Sequence, residues 1–221
     1  MRPDISSEAY KNAVSVQQMR DSDAYTFTNF VPSRELMYRA ARGVFEALDW
    51  TGRKIAVFCG SGNNGGDGYA LAGILADHGV PVVVFRVSEK FSDDGRYYHD
   101  MALQKGVEIQ PFDENADYSG FDTMVDCIFG TGFHGMPREM AAAAIRIING
   151  SGAFVLSVDI NSGMNGDTGE VELAVKSDLT VSIGFYKKGH FLGQAPTLIR
   201  DLVNVDIGII LPGCFPKRNE T

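Results

Sequence analysis

Three segments of the 221-residue chain set polar side chains among glycines. Gly60-Ser-Gly-Asn-Asn-Gly-Gly-Asp-Gly68 carries Asn63, Asn64 and Asp67. Val125-Asp-Cys-Ile-Phe-Gly-Thr-Gly-Phe-His-Gly135 carries Asp126 and His134. Ser157-Val-Asp-Ile-Asn-Ser-Gly163 carries Asp159, Asn161 and Ser162. The chemistry on offer is that of hard oxygen. No serine sits in a nucleophile elbow, and no His or Cys spacing fits zinc. His78, His99, His134 and His190 are scattered, and only His134 and His190 fall in glycine-rich loops able to face a ligand. Asn64, Asp126, Ser162 and loop carbonyls suit a hard cation. One carboxylate among neutral oxygens favours a monovalent ion over a divalent one. Asp159 is the candidate for acid–base work, because a carboxyl at a partly buried strand end can titrate in a useful range. Taken singly, each of these residues is an ordinary loop or cap residue. Their convergence is what points to a site.

That convergence depends on the elements that carry them. Each polar cluster closes an apolar run: Ile55–Cys59, Thr123–Phe129 and Ala153–Val158. Helical stretches at Tyr69–His78, Asp93–Lys105 and Arg138–Ile148 alternate with these strands and with Val80–Val87 and Val107–Ile109. Strand-like runs follow at Glu170–Val175, Leu179–Ile183 and Leu202–Ile207. Such alternation predicts an α/β fold, a mostly parallel sheet with helices on both faces. Ligands then bind outside the carboxyl ends of the strands, where all three clusters fall. An N-terminal arm precedes the sheet. Val14–Phe30 reads as a helix with Val16, Met19 and Phe27 as its apolar positions. A second helix follows Pro32, with Ser33 as N-cap and a stripe through Leu36, Met37, Ala40, Val44, Phe45 and Leu48. Residues 1–12 read as loose. The expectation is one domain over 1–221, with a helical arm at about 12–50, an α/β core at about 53–210 and a loose tail at 212–221.

Net charge is −8 and the sequence pI is near 5.0. This argues against nucleic acid or an anionic membrane as partner, and leaves a nucleotide open. Cys59, Cys127 and Cys214 are odd in number and unpaired in spacing, which fits buried free thiols in a reducing compartment. No apolar run approaches the ~20 residues of a membrane helix, and the N-terminus lacks a secretory pattern. A cytoplasmic protein is expected.

The glycine segment reads as a phosphate cradle, with glycines at positive φ before a helix N-terminus. Gly60-Ser-Gly62-Asn-Asn-Gly65 matches the letters of a dinucleotide turn. However, the next strand, Val84-Phe-Arg-Val-Ser88, has no acid until Glu89 to hold a ribose. A Walker loop fails too, because no Gly-Lys-Ser/Thr follows.

Gly62-Asn-Asn-Gly-Gly-Asp-Gly68, Val125-Asp-Cys-Ile-Phe-Gly-Thr-Gly132 and Ser157-Val-Asp-Ile-Asn-Ser-Gly-Met-Asn-Gly-Asp-Thr-Gly169 resemble the NAD(P)H-hydrate epimerases. This is the YjeF N-terminal domain family, related to apolipoprotein A-I-binding protein. Ser15-Val-Gln-Gln-Met-Arg20, Leu36-Met-Tyr-Arg-Ala40 and Tyr186-Lys-Lys-Gly-His190 add to the likeness, which runs over about residues 12–210. The resemblance implies a Rossmann-like three-layer α/β/α sandwich that interconverts the R and S epimers of hydrated NADH or NADPH (NADHX, NADPHX). It implies one potassium ion per subunit on Asn64, Asp126 and Ser162. It implies substrate contacts from Asn63, Asn64, Gly65, Gly66 and Asp67, from Gly130, Thr131, Gly132, Phe133, His134, Gly135 and Met136, and from the catalytic Asp159. Asn161 stands where the family has proline, which would loosen the loop carrying Ser162. Tyr38 and Ala41 also depart from the family pattern. Leu36, Met37 and Tyr38 on the arm make a homodimer contact plausible, and a separate dehydratase would act on the product. A non-catalytic nucleotide-binding or scaffold module of the same fold is the alternative reading. An ordinary NAD-dependent dehydrogenase lacks both the ribose acid and a His or Tyr constellation.

Overall fold

The computed structural model describes residues 1–212. The expected loose tail therefore lies outside the described residues except for Pro212, and so does Cys214. The elements run α1 (Glu8–Lys11), α2 (Val16–Asn29), α3 (Ser33–Glu46), β1 (Ile55–Cys59), α4 (Asn63–Asp77), β2 (Val82–Arg86), α5 (Asp93–Gln104) and β3 (Glu108–Pro111). Then come β4 (Thr123–Cys127), α6 (Glu139–Gly150), β5 (Phe154–Val158), β6 (Ser177–Ile183), a 3-10 turn at Lys188–His190, α7 (Ala195–Leu198) and β7 (Ile199–Val205). The sheet order is β3-β2-β1-β4-β5-β6-β7, and every neighbouring pair is parallel. Chain order therefore runs one way from β1 to β3 and the other way from β4 to β7. The reversal leaves a crevice between the carboxyl ends of β1 and β4, where open α/β sheets bind ligands.

Side chains alternate across each strand, so β1 feeds two cores. Ile55, Val57 and Cys59 face α3, α4 and α5. Ala56 and Phe58 face α6 together with Phe85, Phe112 and Tyr118. A third, smaller core lies under the 3-10 turn and α7, around Ile160, Met164 and Phe191. Cys59 and Cys127 lie opposite each other in register, buried and free.

Three expectations are corrected. Residues 1–12 are tied down: Leu202 N–H donates to Met1 O at 2.7 Å, Ser7 caps α1, and Tyr10 packs edge-on against Phe191. Glu170–Val175 is bends and turns, not a strand, because it folds back on the loop after β5, where Val175 N–H donates to Ser162 O at 3.0 Å. Ser33 is the first residue of α3 and not its cap, a position taken by Pro32 without any side-chain bond.

The glycine segment differs from the expected phosphate turn as well. None of its five glycines has positive φ, and the turn itself is only Gly60-Ser-Gly62. Asn63 already opens α4. The glycines let the protein approach itself. A Cβ on Gly60 would lie 1.9 Å from Ile128 O, and one on Gly65 2.2 Å from Gly60 O. On Gly68 it would meet Cys59 Sγ at 2.6 Å, and on Gly66 the Met37 Sδ at 2.6 Å. Their smallness seats α4 directly on β1 and β4.

Candidate active site

A cavity of about 540 Å³ opens at the switch point between β1 and β4. This is an ordinary size for a small-molecule site. Its walls come from the start of α4, the loop after β4, the end of β5 and the arm helices α2 and α3. Asn63, Asn64, Asp67, Gly130, Thr131, Gly132, Phe133 and Asp159 all line it. His134, Gly135 and Met136 are exposed on the loop beyond that lining. Gly65 and Gly66 are buried in the packing of α4.

Asp159 directly follows β5 in a left-handed conformation, at φ 67°. For a residue with a Cβ this is strained, and it persists only where the surroundings impose it. Here three bonds impose it. Asp159 N–H donates to Val181 O at 2.8 Å. His190 Nε2 donates to Asp159 O at 3.0 Å. Lys187 Nζ donates to the Asp159 carboxylate. Lys187 is wholly buried, and its other protons go to Ile183 O at 2.9 Å and Ser182 Oγ at 3.3 Å. His190 is also buried. Its Nδ1 accepts from Lys187 N–H at 3.2 Å, which leaves the proton on Nε2 for Asp159. Burial, then the Lys187 charge, lowers its pKa to about 3, so the ring stays neutral. His190 thus faces the backbone of Asp159 and not the cavity.

Two further carboxyls share the space. Asp67 accepts no hydrogen bond among the described residues; burial, then Asp159 and Asp23, hold its pKa well above the usual range. Asp23 on α2 is raised to about 6 by burial and by Asp159, against the pull of Lys187. Neither Asp23 nor Lys187 stood out in the sequence. Asp23 did leave a signal: it lies four residues after Met19, on the inward stripe of the helix. Lys187 lies beside Lys188 in a basic pair, where nothing marks which of the two is buried.

Asn64, Asp126 and Ser162 form one knot beneath the cavity. Asp126 is fully buried and accepts from Ser162 N–H and Ser157 Oγ, each at 2.9 Å, and from Ile128 N–H at 3.2 Å. Burial pushes its pKa up against the opposing pull of these bonds, Ser162's first. Ser162 Oγ accepts from Phe129 N–H at 2.8 Å. The Asn64 amide donates to Phe129 O at 2.8 Å and to Val158 O at 3.1 Å, while its Oδ1 is buried with no donor. Among the described residues, no three His, Cys, Asp or Glu side chains are grouped so as to hold a metal ion. Asn161 does not loosen the loop. It is fully buried, donates to Val175 O and Ser177 Oγ, and accepts from Thr180 Oγ1 at 2.6 Å. Hydrogen bonds do there what a proline ring would do by stiffness.

Fold and site together define a doubly wound α/β protein with a lysine-clamped carboxylate at its switch point. Residues 33–189 match the family described as YjeF-related protein N-terminus, and the chain belongs to that family. It is 36% identical over 209 residues to the NAD(P)H-hydrate epimerase of Oenococcus oeni, covering 90% of this chain and 98% of that protein. It is 32% identical over 199 residues to the bifunctional NAD(P)H-hydrate repair enzyme Nnr of Coxiella burnetii, covering 87% of this chain. The chain spans only 41% of the length of that longer relative. In structure it matches yeast ynu0, YNL200c, with a TM-score of 0.70 over 85% of this chain and 86% of that one, at 21% identity, a likeness of fold.

Proposed function

We propose that the protein is an NAD(P)H-hydrate epimerase, interconverting the R and S epimers of NADHX and NADPHX. The observation that carries this reading is Asp159, held at the cavity wall in a strained conformation by the buried Lys187. The substrate is a nicotinamide ring with a hydroxyl at C6, beside the ring nitrogen. Asp159 protonates that hydroxyl as the C–O bond breaks, and the nitrogen lone pair stabilises the iminium-like carbon left behind. Water then returns, and a carboxylate takes its proton. The first N–H groups of α4 lack a side-chain cap and border the cavity at Gly62 and Asn63, so they are placed to receive a phosphate.

Potassium belongs to this proposal. The orphaned Asn64 Oδ1, the buried Asp126 and the hydroxyl of Ser162 fit a hard monovalent cation in donor type. When bound, it would supply a fixed positive charge that orients a substrate oxygen. We also propose a cytoplasmic homodimer whose product is consumed by a separate dehydratase. No helix among the described residues is long and apolar enough to cross a membrane.

The test is an epimer-resolved assay on NADHX with and without potassium, using wild type and Asp159→Asn. The wild type should beat the spontaneous rate, and faster with potassium. The variant should lose at least about 100-fold in epimerisation and keep its affinity for the nucleotide. No acceleration by the wild type in either condition would overturn the reading.

A further inference from the structure

Interconverting two epimers at C6 requires the hydroxyl to leave one face of the ring and water to arrive on the other. A carboxyl fixed in the site serves the face it touches. Asp159 is fixed, through its left-handed backbone, Lys187 and His190. Acting alone, it returns water to the face that lost it, which regenerates the starting epimer. The second face needs its own proton carrier.

The cavity holds three other carboxyl groups, those of Asp23, Asp67 and Asp94. Asp94 is paired with Arg34 at 3.2 Å. Asp67 sits near the start of α4, where burial and two neighbouring carboxylates raise its pKa well above the usual range. Asp23 comes from a separate wall, the arm helix α2, with Met19, Arg20 and Phe27 lining the cavity beside it. Its carboxyl has no hydrogen-bond partner among the described residues. Asp159 and Lys187 are near enough for their charges to act on it, and Asp23 acts in turn on Asp67. The arm is anchored beside the same lysine: Val14 N–H donates to Tyr186 O at 2.8 Å, and Lys188 N–H donates to Val14 O at 3.0 Å.

We propose that Asp23 is the second acid–base residue of the site, working the face of the ring that Asp159 does not reach; this inference rests on the epimerase reading. In one direction Asp23 gives its proton to the C6 hydroxyl. The C–O bond breaks, water leaves, and the ring nitrogen lone pair closes a C=N bond. A water on the opposite face adds its oxygen to C6, the electron pair returns to nitrogen, and Asp159 takes the released proton. One proton has then passed from Asp23 to Asp159, and exchange with solvent water or a turnover in the reverse direction restores it. A carboxyl near pKa 6 suits this traffic better than an ordinary aspartate.

The experiment follows label and configuration together. A single epimer of NADHX is incubated in water enriched in heavy oxygen with wild type, Asp23→Asn or Asp159→Asn. Wild type should invert and incorporate label together. Asp23→Asn should invert at least about 100-fold more slowly. It should still introduce label, without inversion, into the epimer whose hydroxyl faces Asp159, faster than the spontaneous rate. Asp159→Asn should label only the other epimer. The inference is overturned if Asp23→Asn inverts within about tenfold of wild type, or loses labelling in parallel with inversion. Should Asp23→Asn fail to fold, Asp159→Asn decides the matter: label entering both epimers or neither overturns it. Wild type that accelerates neither process overturns the epimerase reading itself, and this inference with it.

Discussion

An aspartate drawn out of water beside another carboxylate lowers stability at the pH where it ionises. Asp23 is such a residue, with its pKa raised from 3.8 to about 6. Its stabilising contribution is complete below about pH 4 and is lost as pH rises through about 6. With allowance for its partial exposure, the loss is about 2 kcal/mol. Asp23→Asn should therefore be more stable than wild type at pH 8, by about 4–8 °C in melting temperature, and no different at pH 4. Thermal melts at the two pH values check this; a lower melting temperature for the variant at pH 8 would contradict it. A group that weakens the fold while facing a cavity is what a functional residue looks like. Lys187 shows the limit of reading such residues from sequence. A lysine is among the least often buried side chains, and only the return of the chain after β6 brings this one under Asp159.

At the scale of elements, α4 sets the site because its glycines let it sit low on the sheet. Gly65→Ala would drive a methyl group into Gly60 O and should destabilise the protein by about 2–4 kcal/mol. Gly62, with open space where its Cβ would be and φ at −91°, should accept alanine at a cost under about 1 kcal/mol. Denaturant unfolding of the two variants tests whether the glycines serve packing. Equal losses would argue against it. The strands that lead to Asn64 and Asp159 and carry Asp126 were legible, because apolar runs closed by polar turns announce carboxyl ends. The use of the glycines was not, since a pattern of small residues looks the same whether ligand or protein makes the close approach. Glu170–Val175 misled for a related reason: Ala174 and Val175 are buried, but by a folded-back loop and not by strand pairing.

For the whole molecule, the parallel sheet was legible from the alternation of elements, while the apolar side chains left exposed for the proposed dimer were not. Leu36 and Met37, expected at such a contact, are buried, and Met37 packs on Gly66. Tyr38 remains exposed, as do the edge-packed rings of Tyr25 and Phe30. Sedimentation velocity should give twice the 24.0 kDa chain mass. Phe30→Asp should shift the protein toward monomer, and an unchanged dimer would place the contact elsewhere. The arm has one more property. Val14 bonds to the backbone at Tyr186 and Lys188, Thr26 accepts from Ile210 N–H at 2.9 Å, and Met1 pairs with Leu202. The arm thus finds partners 184 and 201 positions further along the chain. A folding chain cannot seat the arm until β6 and β7 are in place, so the second wall of the cavity, and with it Asp23, closes late.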